Sequence, residues 1–482
     1  MHAFLAEHRC AVFPDELFTD LFPTNRGRPS VPADVVATVM VLQALEGLSD
    51  RQAVRRLETD IAWKAAAGLA LTDEAFHPTV LVLWRNKLRT SERPQRIFDA
   101  VRTVITASGV IATKTRRALD STVLDDAVQR QDTVTMVVTQ ICRVRRLIPE
   151  LASVWVREHN YEGGRPPCDW EDPADIDRLV SELVDDANEL VWAVEDRKLE
   201  LSAEQADAVA LLALVAGQDV EPGERPGQWR IAQRTAPDRV VSTVDTESRH
   251  THKTSHAYRD GFKAHVSTEP ETGLVTDCEL TPGNTPDGEA APGLVDHEPA
   301  GTEVLGDSAY GTGELRDHLE ATAKTAVIKP PPLRPAVPGG FDLDDFDIDD
   351  EARTVTCPAG VVVALSAKGR ASFASNCASC PLRQRCTTAR DGRVLVLHPH
   401  HRHLVAARAQ AATEAFDTVY RRWRPMVERS LAWLTRGTNR RLRYRGVERN
   451  RLWWSHRCAA VNLQRLLTLG LVLGDDDTWA IA

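Results

Sequence analysis

Short strand-like runs crowd together between residues 261 and 308, and their order restricts the fold more than any other feature of the chain. "GFKAHVST" (261–268) and "GLVTDCEL" (273–280) alternate apolar and polar side chains, as half-buried strands do. The link Glu269–Thr272, followed by Gly273, reads as a hairpin turn between them. "TEVLGDSA" (302–309) carries the pair Val304–Leu305 before Gly306 and predicts a more buried strand ending at Asp307. A helix in "GELRDHLEATA" (313–323) and another strand in "TAVIKP" (325–330) follow. Upstream, "RRALDSTVL" (116–124) and "DRVVSTVD" (238–245) are also strand-like, the first ending near Asp120. This order predicts a mixed α/β fold, a sheet with helices that carries two insertions.

The 482 residues suggest two to four domains. Residues 1–27 are mixed in character and read as an arm, whereas 28–69 and 77–110 read as helices. Val35, Val36, Val39, Leu42 and Leu45 recur at helical spacing. Gly47-Leu48-Ser49-Asp50 ends one helix and caps the next. That unit, with Arg51, Arg55 and Arg56, suits either DNA docking or an all-helical packing or dimerisation surface. The expected organisation is a helical domain at 1–110, the first sheet strand at 111–124 and a mostly helical acidic insertion at 125–237. The sheet continues at 238–329, a linker and Cys-rich insertion occupy 330–403, and a final helix with a basic region closes the chain at 404–482. "PPPLRPAVPGGFDLDDFDIDDE" (330–351) reads as an exposed excursion, and 404–435 as one long helix broken at Pro425.

A net charge of −10 argues weakly against nucleic acid, but it averages two opposite modules. From Asp169 to Glu224 there are 17 acids against three bases; from Arg421 to Arg457 there are twelve arginines against Glu428 and Glu448. A basic patch of that density recruits polyanions whatever the global charge. No apolar run approaches the roughly 20 residues that cross a bilayer, and the N-terminus lacks a signal-peptide pattern, so a cytoplasmic protein without membrane contact is expected.

Asp120 and Asp307 stand at the ends of strand-like runs, from which both carboxylates can enter one crevice. Glu428 lies in "WRPMVERSLAWL", flanked by Trp423, Met426, Val427, Leu431 and Leu434. A carboxylate on the packed side of a helix is costly unless paired or metal-bound. Three carboxylates make a hard-oxygen cage for Mg²⁺ or Mn²⁺, and two such ions can activate an attacking oxygen and stabilise a leaving one. Against this stand the chain's 69 acids, from which three can be chosen many ways, and the frequent use of Asp as a cap or turn residue. Asp245 is a rival first carboxylate, with Asp125, Asp126 and Asp260 weaker ones.

In the basic block, Arg440, Arg441, Arg443, Arg445, Arg449 and Arg451 are interleaved or flanked by Tyr444, Trp453 and Trp454. Arginines contact phosphates and aromatics stack on exposed bases; the plainer reading is a block that only balances the acidic module. Cys357, Cys377, Cys380 and Cys386 include one Cys-x2-Cys half-site and suit structural Zn²⁺, though four thiolates would also ligate an iron–sulfur cluster. "HPHHRHL" (398–404) either lends a ligand or is a solvated turn.

These segments resemble the bacterial insertion-sequence transposases of the DDE type, which have a ribonuclease-H-like catalytic core. The resemblance rests on the helical block at 27–69, on "LDSTVL", on "LGDSAYGT" and on "VERSLAWLTRGTNRRLRYRGVERNRLWW". It implies that Asp120, Asp307 and Glu428 are catalytic and bind two Mg²⁺. Water would cut a phosphodiester at a terminal inverted repeat, and the freed 3′-OH would attack target DNA. It further implies double-stranded DNA as partner, a nucleoid-associated location and a homodimer, because an element has two ends. Arg424 and Tyr420 resemble the family's Tyr–Arg–Glu–Lys helix, and the resemblance implies that Arg424, Arg436 and Lys263 contact DNA with the basic block, but Thr435 stands at the Lys place with Arg436 beside it. Lys263 and His265 match a family strand, while Thr268 replaces the acid often found at that strand's end. The alternatives are a metal-dependent nuclease that cuts without joining, and a DNA-binding protein whose catalytic site has decayed.

Overall fold

The computed structural model describes the chain except for residues 24–29, 155, 157, 158, 160, 162, 163, 235, 255 and 256. Helices α1 (His2–Val12), α2 (Ala33–Glu46), α3 (Asp50–Thr59), α4 (Ile61–Ala66), α5 (Thr79–Thr90) and α6 (Arg96–Ala107) form the N-terminal region. The expected arm is in fact core: Leu5 and Phe13 are fully buried, because α1 packs on α2 and α4. Between α2 and α3, Gly47 takes a left-handed φ of 67° and Ser49 makes a reciprocal capping box with Gln52.

Strand β1 (Arg116–Asp125) opens the sheet. Helices α7 (Thr133–Leu147), α8 (Pro173–Asp196) and α9 (Ala203–Gly217), with the hairpin of β2 (Val220–Pro222) and β3 (Trp229–Ile231), intervene around an apolar core of their own. The sheet resumes with β4 (Arg249–Thr254), β5 (Ala257–Thr268), β6 (Val275–Pro282), α10 (Asp287–Val295), β7 (Glu303–Gly306), α11 (Gly313–Ala321) and β8 (Thr325–Ile328). Antiparallel β5 lies on one side of β1 and parallel β7 then β8 on the other; β6 and β4 share the far edge of β5. This mixed sheet is consistent with a ribonuclease-H-like core.

The run 238–245 forms no strand beyond one isolated bridge, Val240 to Arg249. Glutamine side chains take its backbone instead: Val240 N–H donates to Gln218 Oε1 at 3.0 Å and Thr243 N–H to Gln131 Oε1 at 2.8 Å. The region after β8 is also more ordered than an exposed excursion. β9 (Asp347–Asp349), β10 (Thr354–Thr356) and β11 (Val362–Ala364) form one small sheet, and β12 (Arg370–Ser372) pairs with β13 (Val394–Val396) across α12 (Arg383–Cys386). Phe346, Val355, Phe373 and Leu395 make its core.

The expected long helix is three: α13 (His401–Ala411), α14 (Glu414–Trp423) and α15 (Met426–Leu434). Pro425 cannot continue the hydrogen-bond ladder and separates the last two. Helix α16 (Val447–Thr468) is buried along most of its length and packs on α2, α6 and β6, joining the N-terminal region to the sheet in one core.

Candidate functional site

Asp120 lies inside β1 and not at its tip, because pairing with β5 runs on through Asp125. Parallel β7 stops earlier. Its Leu305 is opposite Ala118, so Asp307, two residues further on, emerges from the strand end beside Asp120. The carboxylate of Asp307 accepts the N–H of Ala309 at 2.9 Å, which fixes the turn. Helix α15 packs on β1 and carries Glu428 in its first turn.

The three carboxylates meet at one cation. Arg424, at the junction of α14 and α15, approaches Asp120 at 3.1 Å, Asp307 at 3.4 Å and Glu428 at 3.3 Å. Its side chain is only 7 % exposed, whereas Asp307 and Glu428 are 43 % and 67 % exposed, so the site opens to solvent on the carboxylate side. Burial raises the Asp120 carboxyl to about 6, with Asp307 and Glu428 adding to the rise and Arg424 opposing it. One guanidinium among three carboxylates leaves net negative charge. The fit is also loose: charge-assisted bonds usually span about 2.7–2.9 Å, and the buried Nε of Arg424 has no acceptor among the described residues. With the guanidinium between them, the three carboxylates do not all offer oxygens within 4.8 Å of one another, so hard divalent cations such as Mg²⁺ or Mn²⁺, which the unspent negative charge suits, would have to displace Arg424 to bind all three.

The rival carboxylates are elsewhere. Asp245 accepts the N–H of Gly446 at 3.0 Å and so serves the start of α16, with Glu247 accepting Val447 N–H. Asp125 pairs with Arg259, Asp126 accepts from Ser248, and Asp260 meets His250. Lys263 is spoken for as well: it pairs with Asp287 at 3.1 Å and donates to the carbonyl of Thr285. Thr268 is buried, and its neighbour Glu269 turns away to cap the hairpin through Thr272. Thr435 is buried at the end of α15, where its hydroxyl donates to Leu431, while Arg436 is exposed. Tyr420 stacks on Phe416, one turn before Arg424.

Arg436, Arg440, Arg441, Arg443, Arg445 and Arg449 are all exposed and form a basic surface before and at the start of α16. Some also brace the fold: Arg443 donates to the carbonyl of Gly47 and Arg441 to that of Asp126. Arg451 instead pairs with Glu279. Trp453 and Trp454 are core residues, not stacking platforms, because they lie on the buried length of α16. Sequence reasoning missed Arg85 and Arg89 of α5, which line a cavity with Tyr444 and Arg449. Their spacing of four on one helix was the available signal.

Cys357, Cys377, Cys380 and Cys386 line one small cavity. They do not close into the expected zinc tetrahedron: among the described residues, no three of these thiols lie within 4.8 Å of one another. Phe346 and Phe373 line the same cavity, and the Cys377 sulfur accepts the N–H of Arg393 at 3.4 Å. Among the described residues, the group that does satisfy that separation is Asp317, His400 and His403.

Residues 356–467 match a family model described as a transposase DDE domain, a span that includes Glu428 and stops short of Asp120 and Asp307. Residues 4–87 match a model described as a transposase domain (DUF772). No curated protein and no solved structure matches the chain. Both ends of the chain are thus similar to transposase domains, consistent at the superfamily level with an insertion-sequence transposase of the DDE type.

Proposed function

We propose that the chain is the transposase of an insertion sequence, which cleaves phosphodiesters at the element's ends and joins the 3′-OH to target DNA. The observation that carries this reading is the meeting of Asp120, Asp307 and Glu428 at one guanidinium, in a chain whose two ends match transposase domains. In this reading the three carboxylates hold two Mg²⁺ or Mn²⁺, which when bound supply an activated oxygen nucleophile and charge stabilisation for the leaving oxygen. Asp120 gives the site a fixed point, since it lies inside β1 and is paired opposite Val266 of β5. Asp307 and Glu428 complete it from a loop and a helix. Arg424 keeps the carboxylates together where divalent charge is absent, and would have to give way to it. The exposed arginines from Arg436 to Arg449 grip the backbone of double-stranded DNA at the terminal inverted repeats and the target, setting position and not sequence. Two copies act together on two ends. The segments 125–237 and 330–403 are insertions into a ribonuclease-H-like core.

Strand transfer with pre-cleaved element ends and a plasmid target, in Mn²⁺, tests the proposal. Joined products are expected. Cutting without joining would favour a nuclease of the same fold, and neither activity in Mn²⁺ would indicate a DNA-binding protein with a decayed site.

Arg424 gives a separate expectation. Arg424→Ala leaves three carboxylates unneutralised and should lower stability in metal-free buffer by about 1–3 kcal/mol. Added Mn²⁺ should then raise the melting temperature more in the variant than in the wild type. Equal shifts in the two proteins would mean that the guanidinium and the ions do not share a site.

A further inference from the structure

The segment 398–403, "HPHHRH", enters α13 and rests on α11. His403 Nε2 lies 3.1 Å and His400 Nδ1 3.6 Å from the same oxygen of Asp317, and the three donors lie within 4.8 Å of one another. We propose that Asp317, His400 and His403 bind one late first-row divalent ion of the Zn²⁺, Ni²⁺ or Co²⁺ class, at a centre separate from the three carboxylates around Arg424.

The separations suit such an ion. With metal–nitrogen and metal–oxygen bonds of about 2.0–2.1 Å, the edge of a coordination tetrahedron is roughly 3.4 Å. The two nitrogen–oxygen distances, 3.1 and 3.6 Å, fall on either side of that value. Two imidazoles with one carboxylate select this class over Mg²⁺ and Ca²⁺, which take oxygen ligands. The remaining ring nitrogen of His403, Nδ1, stands 3.1 Å from Glu320 Oε2, the outer carboxylate that orients a metal-binding histidine.

The backbone is shaped for this contact. His400 is the N-cap of α13 and His403 lies in its first turn, while Asp317 and Glu320 are three apart on α11 and share one helix face. Gly313 opens α11 beneath the histidines. A Cβ there would lie 2.7 Å from His400 Cβ and 2.8 Å from His398 Cε1, so any larger residue would push the turn off the helix. An ion at this centre would tie α11, which follows the Asp307 turn, to α13, which leads into α14 and α15.

The test is titration of the metal-free full chain with Co²⁺, with excess Mg²⁺ present to occupy oxygen-only sites. One equivalent is expected to bind with the visible absorption of a nitrogen–oxygen site and without a thiolate charge-transfer band. His400→Ala/His403→Ala should weaken that binding more than a hundredfold, and Glu320→Gln about 10–100-fold. Cys380→Ser/Cys386→Ser should leave it intact. Ni²⁺ should raise the melting temperature of the wild type but not of the histidine variant. Asp317→Asn replaces that variant if its metal-free form melts below the wild type. Undiminished Co²⁺ binding in the histidine variant or in the Asp317→Asn variant that replaces it, absorption of thiolate character alone, or no bound Co²⁺ would each overturn the assignment. None of these readouts depends on DNA cleavage, so the result stands apart from the proposed activity.

Discussion

Asp120→Asn should lower Mg²⁺-dependent DNA cleavage by about a hundredfold or more, the scale of losing one group aimed at charge that develops during reaction. The substitution keeps the shape of the side chain and removes its charge. Asp120 accepts the N–H of Ser121 at 2.9 Å, and an amide oxygen can accept the same bond, so β1 should keep its pairing. What changes is the charge at the fixed point of the site. With Asp120 neutral, Arg424 faces two carboxylates, and little charge is left to attract divalent ions. Single-turnover cleavage measured beside thermal unfolding would separate chemistry from folding. Asp245→Asn is the informative control. Asp245 serves the N-terminus of α16; an amide oxygen can accept the same N–H, so only the charge beside the helix dipole is lost, which should cost about 0.3–1 kcal/mol of stability and leave the cleavage rate unchanged. The reverse pattern, with Asp120→Asn active and Asp245→Asn dead, would assign the first carboxylate to the wrong strand.

Much of this arrangement was legible from the sequence, for reasons that can be named. The hairpin at 261–280 follows period-two patterning and a glycine turn, and the buried strand before Asp307 follows the apolar pair Val304–Leu305, signals that act over a few residues. The start of α3 follows from Ser49 and Gln52, a local capping code. The failures came where distant partners decide. Nothing in "STVLD" after Asp120 announces that β5 will pair with it as far as Asp125. The run at 238–245 has strand-like alternation, yet Gln131 and Gln218 from other segments satisfy its backbone. The resemblance makes Arg424 a DNA contact, although its spacing of four from Glu428 also allows the ion pair that forms. Trp453 and Trp454 sit among arginines in the sequence, but a helix presents neighbours to different sides, and their sides face the core.

Arg457 illustrates a contact of that distant kind, and its removal should have the largest effect on stability. The side chain is 3 % exposed. Its Nε donates to the carbonyl of Leu434 at 2.8 Å and its Nη2 to that of Trp433 at 2.7 Å, both at the end of α15. Its Nη1 donates to Ala44 and Leu45, at 3.0 and 2.6 Å, at the end of α2. Carbonyls in a last helical turn lack most of their intrahelical donors, and a cation there also meets the negative end of the helix dipole. One guanidinium therefore closes two helices, one from the N-terminal region and one that carries Glu428. Burial lowers its pKa to about 10, which still leaves it charged at neutral pH. Arg457→Ala would strand these carbonyls in a dry site and should cost about 3–5 kcal/mol. Arg457→Lys keeps the charge but not the planar fork, so it should recover only part of that loss. Urea unfolding gives the total, and amide exchange gives the place: protection should fall first in the last turns of α2 and α15. A loss below about 1 kcal/mol, or exchange that rises elsewhere and not at those two ends, would show that the helices are held by their apolar faces alone. If the loss is as large as expected, the position of Glu428 depends on a residue that touches neither DNA nor metal. Cleavage by Arg457→Lys should then fall at temperatures where its sheet is still folded.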